Sequence, residues 1–143
     1  MIDAPDFLTL DDVLLIHEEG LARYGGADGV RDAGALESAV AMPQATFGGN
    51  FVHDDLFVMA AAYAFHIAQN QPFVDGNKRT GLGAALVFLD LNGIEIADPA
   101  GSLYDAMIAL AERRLDKPGL AELLRTLTRA GSGGAGPSPG STR

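Results

Sequence analysis

A carboxylate, a glycine, an asparagine and two cations follow one another in the stretch Gln71-Pro72-Phe73-Val74-Asp75-Gly76-Asn77-Lys78-Arg79-Thr80, set between two strongly apolar segments. The chemistry they suit is phosphate binding. Gly76 lets the backbone turn tightly and approach a ligand, and Asn77 tolerates a left-handed conformation. The helix expected next directs its free N–H groups and positive dipole end back toward the loop. Lys78 and Arg79 in its first turn oppose that dipole, so a bound anion is expected to compensate them. Asp75 beside such an anion is a natural Mg2+ ligand, because Mg2+ on a nucleotide takes one or two carboxylates plus phosphate oxygens. Gln71 can orient a hydroxyl but cannot take its proton.

The decapeptide resembles the active loop of the Fic/Doc family, whose pattern is His-x-Phe-x-Asp/Glu-Gly/Ala-Asn-Gly/Lys-Arg. Phe73, Asp75, Gly76, Asn77, Lys78 and Arg79 agree with it, and Gln71 stands where the family has its catalytic His. Lys78, at a position usually Gly in adenylylating members, makes the chain more similar to the Doc branch, the death-on-curing toxins of toxin-antitoxin pairs. Tyr24-Gly25-Gly26, Arg31-Asp32, Gly34 and Leu36-Glu37-Ser38-Ala39 are also similar to Doc-like proteins, so the resemblance runs from about Phe7 to Gly93.

The resemblance implies ATP and Mg2+ as cofactors, with Asp75 on the metal and Gly76, Asn77, Lys78 and Arg79 on the phosphates. It implies transfer of the γ-phosphate to a threonine of elongation factor Tu, which arrests translation; adenylylating relatives bind the nucleotide the other way round. It also implies a Phd-like antitoxin lying in a groove of the helical domain. The chain contains no Ser/Thr-x-x-x-Glu-Gly/Asn inhibitory motif, so inhibition in trans is expected. Gln71 removes a general base, an effect typically worth about 100- to 10,000-fold. Three readings follow: an inactivating substitution introduced so that a toxic protein can be expressed, a natural degenerate member kept as a binding protein, or an enzyme with another base. His66, the histidine nearest the loop, is the candidate for the last, although a side chain one turn inside a helix is usually held by packing.

The expected scaffold is an all-α domain of about six helices over residues 1–130. Thr9 and Asp12 form a capping box for a helix from Leu10 to Tyr24, stopped by Gly25-Gly26. His17 on that helix reads as structural. Asp32 caps a second helix ending near Met42, before Pro43. Thr46-Phe47-Gly48-Gly49-Asn50-Phe51-Val52 reads as a hairpin around a Gly-Gly-Asn turn. In the family the corresponding region is a flap that holds the target by strand addition, which would make Phe47, Gly48, Gly49, Asn50 and Phe51 target-binding; a surface loop with two anchoring aromatics is the other reading. His53 beside it is assigned no chemistry.

A third helix is expected from Asp54 to Asn70 and a fourth, apolar nearly all round and therefore central, from Lys78 to Asn92. Gly81 and Gly83 inside the fourth imply close packing or ligand approach. Ile94-Glu95-Ile96 reads as an isolated extended segment, followed by helices over Ser102–Leu115 and from about Pro118 to Arg129. Arg113 and Arg114 are either a solvated face or partner contacts. Gly131 to Arg143, mainly Gly, Ser and Pro, is expected to be disordered.

Composition narrows the classes. With 143 residues, 48% of them hydrophobic, the chain suits one core. A net charge of -9 with only ten Lys and Arg argues against direct nucleic-acid or membrane-surface binding. The absence of cysteine excludes disulfides and thiolate zinc sites and fits a cytoplasmic protein. The acidic start, Met1-Ile2-Asp3-Ala4-Pro5-Asp6, does not read as a signal peptide, and no apolar stretch approaches the about 20 residues of a membrane span.

Overall fold

Two helices, α3 (Leu56–Asn70) and α4 (Asn77–Leu91), are joined by the Gln71–Gly76 turn and form the most extensive helix pair. The computed structural model describes residues 4–129, so the expected disorder of 131–143 lies outside the described residues. Among these, α1 (Leu10–Tyr24), α2 (Ala33–Ala41), α5 (Ser102–Ala111) and α6 (Lys117–Thr126) surround the pair. Strands β1 (Thr46–Phe47) and β2 (Asn50–Phe51) make one antiparallel hairpin, completing an all-α domain with a short β flap.

Local chemistry sets most helix starts. Thr9 and Asp12 exchange backbone-to-side-chain bonds of 3.1 and 2.8 Å, the reciprocal box that starts α1. Asp32 accepts from the Ala35 N–H at 3.0 Å to start α2. The cap of α3 is Asp55, which accepts from Val58, one residue later than the sequence suggested. Gly48 and Gly49, both at positive φ, form the hairpin turn themselves, so Asn50 belongs to β2 rather than to the turn.

Packing decides the rest. The central helix is α3: Met59 to Ala64 are all fully buried, whereas α4 leaves Val87 and Leu91 exposed. Its alanines leave room for neighbours on every side. At Gly81 of α4 a Cβ would lie 2.9 Å from the Ala64 carbonyl oxygen, a backbone atom that cannot swing aside. Gly81→Ala is therefore expected to destabilise the protein by roughly 1–3 kcal/mol despite alanine's higher helix propensity, read as a lower urea midpoint.

Helix α5 stops at Ala111, short of the expected Leu115, because tertiary partners take its end. Gln69 of α3 donates to the Leu110 and Ala111 carbonyls at 3.2 and 3.4 Å and accepts from Arg113, which sits at φ 62. Arg114 pairs with Glu112 on the surface. Helix α6 ends at Thr126 rather than Arg129, since Thr128 pairs with Ile96 and Arg129 N–H donates to the Glu95 carbonyl. The extended segment at 94–96 is thus tied to the end of α6.

Candidate active site

The turn between α3 and α4 is built from two left-handed residues. Gln71, at φ 47, caps the C-terminus of α3, and Gly76, at φ 79, precedes the first residue of α4. No side chain caps the N-terminus of α4, leaving its first N–H groups for another acceptor. Phe73, 1% exposed, plugs the turn into the core. Asn77 closes it from the other side, accepting from the Phe73 N–H at 2.9 Å and donating to the Phe73 carbonyl at 3.0 Å. The Asn77 side chain thereby shapes the loop. What it leaves for an anion is chiefly the backbone N–H at the first helical position.

A segment far away in sequence holds this turn. Val30 bridges Phe73 in antiparallel fashion, Arg31 and Asp32 N–H both donate to the Pro72 carbonyl, and Val74 N–H donates to the Gly29 carbonyl. The Arg31 guanidinium donates to the Asn70 and Gln71 carbonyls at 2.9 and 2.7 Å, a cation on the free carbonyls of a helix C-terminus. Beneath the loop, His17 is 3% exposed and stacks on Phe73 with ring centres 3.8 Å apart and planes 6° from parallel. Its Nε2 lies 2.8 Å from the Asp75 carbonyl oxygen.

Asp75 itself is exposed and preorganised. The Ala27 and Gly76 N–H groups donate to its two carboxylate oxygens at 3.1 and 2.8 Å. These bonds, with the Arg79 charge adding to them, hold its carboxyl below the usual carboxylate range. An exposed carboxylate kept ionised beside a bare helix N-terminus fits Mg2+ carried in on a nucleotide. No cluster of three His, Cys, Asp or Glu residues exists among the described residues to hold a metal alone.

Arg79 folds back along α1. It donates to the Gly25 carbonyl at 3.1 Å, lies 5.5 Å over the Tyr24 ring, and fills space that a Cβ at Gly20 or Gly76 would enter. Its Nε is buried with no hydrogen-bond partner among the described residues. Lys78 is exposed at the second helical position. Asp75, Gly76 and Arg79 therefore meet around the loop with Tyr24 to Ala27.

The hairpin is anchored elsewhere. Phe51 meets Phe7, which stacks on Phe88, whereas Phe47 is 83% exposed, so only one of its two aromatics is an anchor. His66 faces away from base chemistry: its Nε2 lies 3.1 Å from the Lys117 ammonium, which also reaches His53 Nε2 at 3.3 Å. Burial first, then the Lys117 charge, pushes His66 down to about 4, and the same causes lower His53. An unfolded chain binds these protons near pH 6.5, so it holds more protons than the folded one between there and about 4, and stability rises with pH across that window. Acidification from pH 6.5 toward 4 is expected to lower the thermal midpoint progressively, and His66→Gln to flatten the profile.

His17, Arg31 and the Ala27 N–H were not legible as site groups from residue chemistry. For Ala27 and Arg31 the signal that could have found them is the Doc-like phrase running from Tyr24 to Asp32, which encodes a loop partner and not only a capped helix; His17 lies outside that phrase on α1 and carried no such signal.

This helical domain, the turn between α3 and α4 and the short hairpin define a class: the chain belongs to the Fic/DOC family, which matches residues 7–89. Within that family it falls in the Doc branch. It is 32% identical over 120 residues to "Protein kinase doc" of Escherichia phage P1, covering 84% of this chain and 94% of that protein. It is 37% identical over 131 residues to "Toxin Doc" of Mycolicibacterium smegmatis, covering 90% and 98%. No helix among the described residues is long and apolar enough to cross a membrane.

Proposed function

We propose that this chain is a Doc-type toxin of a toxin-antitoxin pair whose turn binds Mg-ATP and whose ancestral reaction is phosphoryl transfer to a hydroxyl of a translation factor, elongation factor Tu, in the cytoplasm. The observation that carries this reading is the preorganised turn: an ionised Asp75 held by two N–H groups, next to the uncapped N-terminus of α4 and Arg79. Asp75 would hold Mg2+, which neutralises charge on the phosphates. The Asn77 and Lys78 N–H groups and the Arg79 guanidinium bind and orient the phosphate chain, while the Gly76 N–H at the turn holds the Asp75 carboxylate. The flap from Phe47 to Phe51 receives the target as an added strand, with Phe47 free to contact it.

Gln71 occupies the place of the proton acceptor. It can hold a target hydroxyl but cannot remove its proton, so the chain as it stands transfers phosphate poorly or not at all. That residue favours a second reading, a pseudoenzyme retaining nucleotide and antitoxin binding. An antitoxin partner is supported by the relative named a toxin, and a Phd-like one is the expected form.

Intact-mass measurement of elongation factor Tu after incubation with Mg-ATP and the Gln71→His form tests the reaction. A phosphate increment supports it. An adenylate increment would replace it with adenylyl transfer, and no increment from a form that binds ATP favours the pseudoenzyme.

A further inference from the structure

We propose that His17 is a positioning residue for the metal and phosphate site, acting by fixing the orientation of the peptide unit between Asp75 and Gly76. The inference rests on the nucleotide-binding reading and adds to it a residue outside the loop motif.

The Asp75 carbonyl oxygen can only accept, so the His17 nitrogen 2.8 Å from it must carry a proton and donate. In a trans peptide the carbonyl and the following N–H point in opposite directions. With the Asp75 carbonyl drawn toward the buried imidazole, the Gly76 N–H must point away from the core, where it meets the Asp75 carboxylate at 2.8 Å. One buried donor thereby sets two things at once: the direction of an N–H at the mouth of the anion site and the rotamer of the carboxylate.

Glycine makes such a lock necessary. Gly76 at φ 79 has no side chain to resist rotation of the peptide before it, and glycine adopts backbone conformations of either hand at no steric cost. The His17 ring is itself fixed, 3% exposed and stacked at 3.8 Å on Phe73, so its donor has one direction. Ala27 N–H pins the other carboxylate oxygen at 3.1 Å; His17 lies on α1 and Ala27 in the loop that directly follows it. The site is therefore assembled from two distant segments, with α1 supplying the rigid side. Partners behind metal-binding groups typically change metal affinity by about 10- to 100-fold when removed.

The test compares His17→Gln with His17→Asn in the full chain. Both lose the ring, but the Gln amide reaches about as far as Nε2 and the Asn amide only as far as Nδ1, so their difference isolates the hydrogen bond. ATP affinity is titrated with and without Mg2+, with Asp75→Asn as reference and thermal unfolding as the check on folding. The expected result is a Mg2+-dependent gain in ATP affinity for the unmodified chain, abolished in Asp75→Asn, retained in His17→Gln and cut about tenfold in His17→Asn. Equal Mg2+ gains in both His17 variants, or equal losses, overturn the positioning role and leave the nucleotide reading intact. Absence of ATP binding by the unmodified chain overturns that reading and this inference with it. Should both variants unfold, the 15N signal of His17 Nε2 in the unmodified chain decides: a protonated Nε2 that shifts on addition of Mg-ATP supports the role, and an unprotonated or unshifted one overturns it.

Discussion

Gln71→His raises the rate of phosphoryl transfer by about 100- to 10,000-fold over the unmodified chain, with nucleotide affinity changed little. The replacement adds the missing proton acceptor without disturbing the site's frame. Position 71 is exposed and left-handed at φ 47, a conformation that histidine adopts more readily than most residues. Arg31 holds the carbonyls on both sides of the Gln71 α-carbon, so the side chain at 71 leaves a fixed backbone. The rate of the substituted enzyme should climb with pH through the ordinary histidine range, near 6.5, and then level off. Single-turnover transfer of labelled phosphate at several pH values measures both effects. A gain below tenfold, or a flat pH profile, would falsify the assignment of position 71 as the base.

Phe73→Ala should be the most damaging single truncation in the loop, costing about 3–5 kcal/mol in urea unfolding. Phe73 is 1% exposed, stacks on His17, and offers the backbone groups that Asn77 clamps. Its removal leaves a cavity beneath the turn, so ATP binding should fall even in the fraction that remains folded. Phe47→Ala provides the contrast within the same chain. At 83% exposure it should change stability by no more than about 0.5 kcal/mol while weakening capture of a protein target. A small loss for Phe73→Ala would mean that the loop holds its shape through the Arg31 and Val30 contacts alone.

Helix existence was legible because it rests on local signals. Capping residues such as Thr9, Asp12 and Asp32, and apolar periodicity through α1 and α3, need no distant partner to be read. Errors arose where distant groups override those signals. Leu115 lies beyond α5 because Gln69, itself held by Arg113, takes the last carbonyls, and Thr128 leaves α6 to pair with Ile96. The larger apolar surface of α4 suggested the central position, yet the alanine-rich α3 occupies it, since small side chains admit neighbours on every face.

The chemical identity of the candidate site was fixed by the order of residues from Gln71 to Arg79, because a turn, a carboxylate and a helix start are local properties. How that site is held was decided only by the tertiary structure. His17, Ala27 and Arg31 reach the loop across 58, 48 and 40 positions, and Asn77 turns its amide inward to Phe73. Such contacts follow from which segments pack together, and packing depends on the whole core at once, which no local pattern of residues encodes.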